Sequence, residues 1–145
     1  MTPTEEDMSL KLQRIAESWL GTPFRANASQ KGIGVSCQKL VAEIYREAGV
    51  IDVTVPEVPM DYYRYARDGL IEPFMAGLDR FIRIDGTTPQ TGDLLAFRVG
   101  RIVHHLGVAL DGNRFVHCIR GPGVIISDLA DPTWGHRLAI IWRPK

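Results

Sequence analysis

The sequence has few cysteines, no net charge and no long apolar run. Its two cysteines, Cys37 and Cys118, are too few for a disulfide framework. The 17 basic residues equal the 17 acidic ones, so nothing favours the broad electrostatic attraction that binding to nucleic acid or acidic membranes requires. No apolar run approaches the roughly 18 residues of a membrane span, and no signal peptide opens the chain. We therefore expect a protein without a membrane span that is cytoplasmic as synthesised.

What is present suits one globular domain, expected to cover residues 1–145. A chain of 145 residues buries roughly 68–70% of its unfolded surface, so it needs neither a metal nor a disulfide to fold. Hydrophobic residues make up 45% of the chain and charged residues 23%, which is the balance of an ordinary globular protein.

Two amphipathic helices are predicted near the start of the chain. The first begins at Thr2-Pro3-Thr4-Glu5, which offers an N-cap followed by proline at the first helical position, and it ends at Gly21. The second begins after Ser36, a natural N-cap, and ends at Gly49. Residues 22–35 have no clear period and are predicted to be a loop. The apolar face of the second helix consists of Cys37, Leu40, Val41, Ile44, Tyr45 and Ala48.

Short β-strands separated by glycine-containing turns are predicted from residue 81 onward. Helices followed by an antiparallel sheet indicate an α+β fold. A short helix at residues 61–68 and a further turn at 71–76 are expected before the sheet. The predicted strands are 81–84, 93–98, 103–110, 114–119, 124–127 and 138–143.

Cys37 is the first candidate for chemistry because it occupies the first turn of the second helix. Free backbone N–H groups and the positive end of the helix dipole stabilise an anion at that position. A thiol there can have its pKa lowered from about 8.5 into the range of roughly 3.5–7.5, and the thiolate is the reactive form. The alternative is a small core residue, since free cysteine is among the most buried residue types.

Three of the four histidines fall in a predicted β-hairpin, with His104 and His105 in one strand and His117 in the next. Neighbouring residues of a strand point to opposite faces, so only one of the adjacent pair can join a given site. A three-residue loop at 111–113 puts His105 and His117 on one face, a diagonal step apart. A two-residue turn at 112–113 puts them on opposite faces, and this register also stays open.

Other polar and aromatic side chains receive ordinary structural interpretations. Cys118 is expected in the core, His104 outside the site, and His136 in a loop or at a strand start. Three tyrosines either pack against the core or line a substrate groove; they are Tyr62, Tyr63 and Tyr65.

Five segments carry short motifs in a fixed order along the chain. They are Gly21-Thr22-Pro23-Phe24, Ser36-Cys37-Gln38-Lys39-Leu40-Val41, Gly92-Asp93-Leu94-Leu95-Ala96-Phe97, His105-Leu106-Gly107-Val108 and Phe115-Val116-His117-Cys118. They resemble the motifs G-x-P-Y, D-C-S-G-L-V, G-D-L-x-x-F, H-V-G-I and I-H-A of the NlpC/P60 superfamily, whose peptidases cut bacterial cell-wall peptides. Each motif is weak alone, and their shared order makes the combination specific. The end of the chain and its compact length are most similar to small phage-tail and gene-transfer-agent members.

The resemblance implies a papain-like α+β core in which N-terminal helices pack on a C-terminal antiparallel sheet. It implies Cys37 as the nucleophile, His105 as the general base and His117 as the residue that orients His105, without a cofactor. The implied substrate is a peptidoglycan stem peptide, often cut after D-glutamate. Phage or prophage tail proteins are implied partners, because a protein made in the cytoplasm reaches the wall only after export or on a phage-like particle.

The chain departs from the family pattern around the nucleophile. Ser36 replaces an aspartate, Gln38-Lys39 replace Ser-Gly, and Phe24 replaces a tyrosine. We expect Phe24, Ser36 and Gln38 to contact substrate. The resemblance implies that in some members the Asp-Ser pair helps to hold the amino group of the substrate, so we do not expect specificity for a free amino-terminal L-Ala here.

Two further functions stay open. Cys37, His105 and His117 form a ligand set for zinc with one open position, although no C-x-x-C or H-x-x-x-H spacing supports it. The altered flanks of Cys37 also suit a protein that kept the fold, lost the activity, and binds the wall or takes part in tail assembly.

Overall fold

The computed structural model describes residues 5–52, 55, 71–84 and 88–145. The helices in these ranges are α1 (Glu5–Trp19), α2 (Cys37–Glu47), α3 (Ile71–Ala76) and α4 (Pro132–Gly135). The strands are β1 (Ser29–Gln30), β2 (Gly34–Val35), β3 (Phe81–Ile84), β4 (Leu94–Val99), β5 (Ile102–Ala109), β6 (Arg114–Ile119), β7 (Gly123–Asp128) and β8 (Leu138–Pro144). The fold is α+β, as predicted. None of the helices in the described ranges is long and apolar enough to cross a membrane.

The two long helices lie where the sequence pattern predicts them. Helix α1 ends at Trp19, just before Gly21, whose φ of 82° lies in the left-handed region. Helix α2 begins at Cys37, directly after the predicted cap Ser36. The predicted helix at 61–68 and the predicted cap at Thr2 lie outside the described residues.

Strands β3 to β8 form one antiparallel sheet of six strands in the order β3-β8-β4-β5-β6-β7. Their ends agree with the predicted strands to within one residue. The prediction missed the β1–β2 hairpin inside the loop at 22–35, because two-residue strands are too short to show alternation. It also missed α4, although Asp131-Pro132 is a helix-start signal.

Alternate residues of the central strands divide the sheet into two faces. The face that packs on α1 and α2, here called the helix face, carries Leu94, Ala96, Leu106, Val108, Val116 and Cys118. The opposite face, here called the outer face, carries a smaller apolar cluster and is covered by Trp134 of α4. That cluster consists of Leu95, Phe97, Ala109, Phe115 and Ile141.

The register of the β5–β6 hairpin is the one that a three-residue loop produces. Gly107 pairs with His117, and the Leu110 amide donates to the Arg114 carbonyl at 2.7 Å. Asn113 takes the left-handed conformation with φ of 63°, which such a loop requires. The alternative register is therefore wrong, and His105 and His117 both belong to the outer face.

Strand β5 pairs with β6 only over residues 107–109, and its earlier half pairs with β4 alone. In that half Phe97 pairs with His105 and Arg98 with Val103, so His104 is an extra residue. Such a bulge bends a strand and re-aims the side chains beside it. The irregularity lies directly before His105.

Candidate active site

Cys37 lies at the N-terminus of α2, where Ser36 fixes the start of the helix. The Ser36 hydroxyl accepts a hydrogen bond from the Lys39 amide at 3.2 Å, and its φ of −88° and ψ of 166° are those of an N-cap. The sequence-predicted cap is thus confirmed. Cys37 is only 5% exposed, so its sulfur lies almost entirely inside the protein.

The first turn of α2 lies against the bulged part of β5. The Gln38 side chain donates to the His104 carbonyl at 3.4 Å, and the Leu106 amide donates to the Cys37 thiol. The sulfur is therefore held against the backbone immediately after His105. Gln38, which we predicted to contact substrate, makes this contact with β5.

His105 and His117 share a short hydrogen bond on the outer face. Nε2 of His105 lies 2.8 Å from Nδ1 of His117, and Nε2 of His117 lies 2.7 Å from Oγ of Ser127 in β7. Gly107 follows His105 by two residues in β5 and pairs with His117 of β6. A Cβ atom there would lie 3.0 Å from Phe115 and 3.4 Å from His117, so glycine keeps this space open.

Trp134 covers both imidazoles. Its ring centroid lies 5.3 Å from that of His105, with an interplanar angle of 30°, and 4.6 Å from that of His117 in an edge-to-face arrangement. His105 is 7% exposed and His117 is fully buried. No motif in the sequence predicted a role for Trp134 or Ser127. The available signal for Ser127 was a polar residue directly after the apolar run Val124–Ile126, diagonally across from His117.

Burial controls the protonation of Cys37. It raises the pKa of the thiol to about 11, although hydrogen bonds from the backbone amides of Leu106, Gln38 and Cys37 act in the opposite direction. The predicted lowering of this pKa is therefore wrong. The N-terminus of α2 does supply donors, but it does not outweigh the loss of solvent around a sulfur that is 5% exposed.

Burial also keeps the two histidines uncharged. It lowers the pKa of His117 to about 4. It lowers the pKa of His105 well below the ordinary range, with smaller contributions from the charges of His117, His104 and Arg137. Near neutral pH the three groups are therefore a thiol and two neutral imidazoles, and no ion pair is present at rest.

Several other predicted residues have definite positions. Cys118 is 1% exposed on the helix face, where its thiol donates to the Val35 carbonyl at 3.3 Å, which confirms a core role. Phe24 packs against the main core, with the Arg120 guanidinium 5.5 Å from its ring centroid. His136 is the C-cap of α4. The tyrosines at 62, 63 and 65 lie outside the described residues.

The zinc alternative has no support in the described part of the chain. Within those ranges no three His, Cys, Asp or Glu side chains are grouped so that they could hold a metal ion. The nitrogens through which His105 and His117 face one another already share a hydrogen bond.

The sequence pattern of the NlpC/P60 family matches residues 21–143 of the chain. The murein DD-endopeptidase MepS/murein LD-carboxypeptidase of Escherichia coli K12 is 28% identical over 131 residues, which are 90% of this chain and 60% of that protein. This chain thus spans about 60% of the length of that curated relative.

Two solved structures illustrate the shared fold. A protein similar to lipoprotein of the NLP/P60 family, from Staphylococcus aureus Mu50, has a TM-score of 0.66 at 24% identity, covering 99% of this chain and 43% of that one. RipD of Mycobacterium tuberculosis, described as a non-catalytic NlpC/P60 domain protein adapted to peptidoglycan binding, has a TM-score of 0.51 at 14% identity. It covers 83% of this chain and 87% of that one.

Proposed function

Because the chain belongs to the NlpC/P60 family, we propose that it is a cysteine peptidase that hydrolyses an amide bond in a peptidoglycan stem peptide. Cys37 is the nucleophile, His105 the general base and His117 the residue that orients His105. The observation that carries this proposal is the 2.8 Å contact between Nε2 of His105 and Nδ1 of His117. This contact leaves Nδ1 as the ring nitrogen of His105 that is available to take a proton. The strand that carries His105 also accepts, through the His104 carbonyl, a hydrogen bond from Gln38 in the α2 turn that carries Cys37.

The reaction starts from an uncharged pair. With a pKa of about 11, only about one Cys37 in 10⁴ is a thiolate at pH 7, so proton transfer to His105 accompanies the attack of the sulfur on the amide carbon. The resulting oxyanion is stabilised by backbone N–H groups at the α2 N-terminus, an effect worth roughly 3–4 kcal/mol for one donor. The same N–H groups hydrogen-bond the resting thiol.

The remaining steps return the enzyme to its starting state. Protonated His105 gives its proton to the leaving amine as the C–N bond breaks, which leaves an acyl group on Cys37. Water then attacks this thioester, with His105 as base, and releases the carboxylic acid. The sum is one amide and one water converted to one acid and one amine, and no cofactor takes part.

Cleavage of purified muropeptides tests the proposal. Wild type and the Cys37→Ala and Cys118→Ala variants are incubated with muropeptides, and the products are identified by mass spectrometry. We expect cleavage by wild type, none by Cys37→Ala, and retained cleavage by the matched Cys118→Ala control, whose missing thiol lies in the core. If no cleavage depends on Cys37, the peptidase assignment is refuted.

A second function, binding to peptidoglycan without cleavage, is favoured by the burial of Cys37. Cys37 is only 5% exposed and the pKa of its thiol is raised to about 11, which are the properties of an inert thiol. RipD, described as a non-catalytic NlpC/P60 domain protein adapted to peptidoglycan binding, has a similar fold. Co-sedimentation with insoluble peptidoglycan separates the two functions: equal binding by wild type and Cys37→Ala, with no released fragments, supports this alternative. Export and carriage by a phage-like particle stay predictions.

A further inference from the structure

Ser127 extends the histidine pair to a third strand. It lies in β7, two residues beyond Ile125, which pairs directly with His117. Its hydroxyl oxygen is 2.7 Å from Nε2 of His117, while Nδ1 of the same ring faces His105. Both nitrogens of His117 are therefore engaged, and the ring is fully buried.

The hydrogen bonds that join His105, His117 and Ser127 allow only two consistent proton arrangements while both imidazole rings are neutral. In the first, His105 carries its proton on Nε2 and donates to His117, which carries its own on Nε2 and donates to Ser127. In the second, Ser127 donates to His117, which donates from Nδ1 to His105. In the second arrangement His105 holds its proton on Nδ1, so that nitrogen cannot accept one.

We propose that Ser127 is a positioning residue whose oxygen accepts from Nε2 of His117 and thereby selects the first arrangement. Through His117 it keeps the Nδ1 lone pair of His105 free for the Cys37 proton. The kinetic part of this inference rests on the proposed peptidase function, whereas the tautomer itself does not.

The surroundings of His117 explain why the first arrangement depends on the Ser127 hydroxyl. Phe115 and Trp134 pack on the ring with centroid distances of 4.5 and 4.6 Å, and the ring has no exposed surface. Without Ser127, a proton on Nε2 has no acceptor, and an unsatisfied buried donor is costly. His117 then favours a proton on Nδ1, which still has His105 as acceptor.

Nitrogen-15 NMR of the histidine rings near neutral pH tests the tautomer independently of activity. We expect His117 to be protonated on Nε2 in wild type and in Ser127→Thr, which keeps the hydroxyl on a β-branched residue suited to a strand. We expect protonation on Nδ1 in Ser127→Ala. Ser29→Ala, which removes an exposed hydroxyl bonded to the half-buried Glu43, is the matched control and should keep the wild-type tautomer.

Kinetics then connect the tautomer to catalysis. A wrong tautomer removes the base without removing substrate contacts, so kcat for muropeptide cleavage should fall about 10- to 100-fold in Ser127→Ala, with KM nearly unchanged. Ser127→Thr should restore most of kcat.

The outcomes separate the two proposals. An unchanged His117 tautomer in Ser127→Ala, or an Nδ1 proton on His117 in wild type, overturns the role of Ser127 even if the protein cleaves muropeptides. A Ser127-dependent tautomer in a wild type that cleaves nothing supports the role of Ser127 while the peptidase assignment fails.

Discussion

The two faces of the sheet come from alternate residues of the same strands and differ in what they bury. The helix face packs Leu94, Val108 and Val116 against α1 and α2 in a continuous apolar core. The outer face buries two imidazoles at the edge of a smaller apolar cluster, under a single tryptophan. Period-two alternation thus lets one hairpin support both stability and a polar site.

The two cysteines differ in what their thiols contact. Cys118 lies on the helix face with a carbonyl as its partner, whereas Cys37 lies at a helix N-terminus against the backbone beside His105. Burial raises the pKa of both thiols, to about 12 for Cys118 and about 11 for Cys37. Burial alone therefore does not distinguish a structural thiol from a candidate nucleophile, whereas a position at a helix N-terminus, held by the Leu106 amide of the strand that carries His105, does.

The largest effect is expected from His105→Gln on the outer face, which tests whether this face serves catalysis and not stability. We expect muropeptide cleavage to fall roughly 10²- to 10⁴-fold because the general base is lost. The free energy of unfolding, measured by urea titration, should change far less. Retained cleavage would contradict the role of His105.

On the helix face, Leu94→Ala should act on stability instead. Removing a side chain that is 2% exposed leaves a cavity, and we expect the free energy of unfolding to fall by about 2–5 kcal/mol. Urea unfolding measures the loss, and specific activity per folded molecule should remain close to wild type. A loss of activity without a loss of stability would show that the helix face also contributes directly to catalysis.

The buried imidazole makes stability depend on pH. Because the pKa of His117 is about 4 in the folded protein and about 6.5 when unfolded, the unfolded state takes up the proton first. The His117 contribution is fully present above pH 6.5 or so and is lost as the pH falls toward 4, by about 3 kcal/mol.

Urea titrations between pH 7 and pH 4 measure this loss. His117→Gln cannot take up the proton, so its free energy of unfolding should depend less steeply on pH than that of wild type. If the free energy of unfolding depended equally steeply on pH in the two proteins, the loss of stability could not be assigned to His117.

Trp134→Ala tests whether the indole keeps water away from the two imidazoles. Removing the indole admits water to the rings, so the pKa of His117 should rise from about 4 toward its ordinary value, by about one unit. NMR titration of the ring protons reports the change. Thr133→Ala, at the exposed neighbouring position, is the control and should leave the pKa of His117 unchanged.

The smallest effect is expected at the cap of α2. Ser36→Ala should lower the free energy of unfolding by about 1 kcal/mol, because the Lys39 amide loses its acceptor. Ser36→Asp, the residue that the family carries at this position, should keep most of the stability because aspartate caps as well as serine. Thermal unfolding of the two variants beside wild type measures the difference.

Much of the fold was predictable because it depends on local patterns. The apolar stripe of α2, the cap at Ser36 and the positions of the β-strands all follow from spacing and turn residues. The candidates Cys37, His105 and His117 followed from residue type and a family resemblance. Ser127 and Trp134 did not, because β7 and α4 reach the histidines only through the order of strands in the sheet.

Strand periodicity is a local property of the backbone, so the residue order alone sets which side chains alternate between the two faces. The residue order left open two hairpin registers, and only the observed pairing of Gly107 with His117 selected one of them. It also indicated an activated thiol, since a helix N-terminus is visible in sequence. Tertiary structure reversed that expectation, because desolvation depends on everything packed around the sulfur and here exceeds the stabilisation from the helix N-terminus.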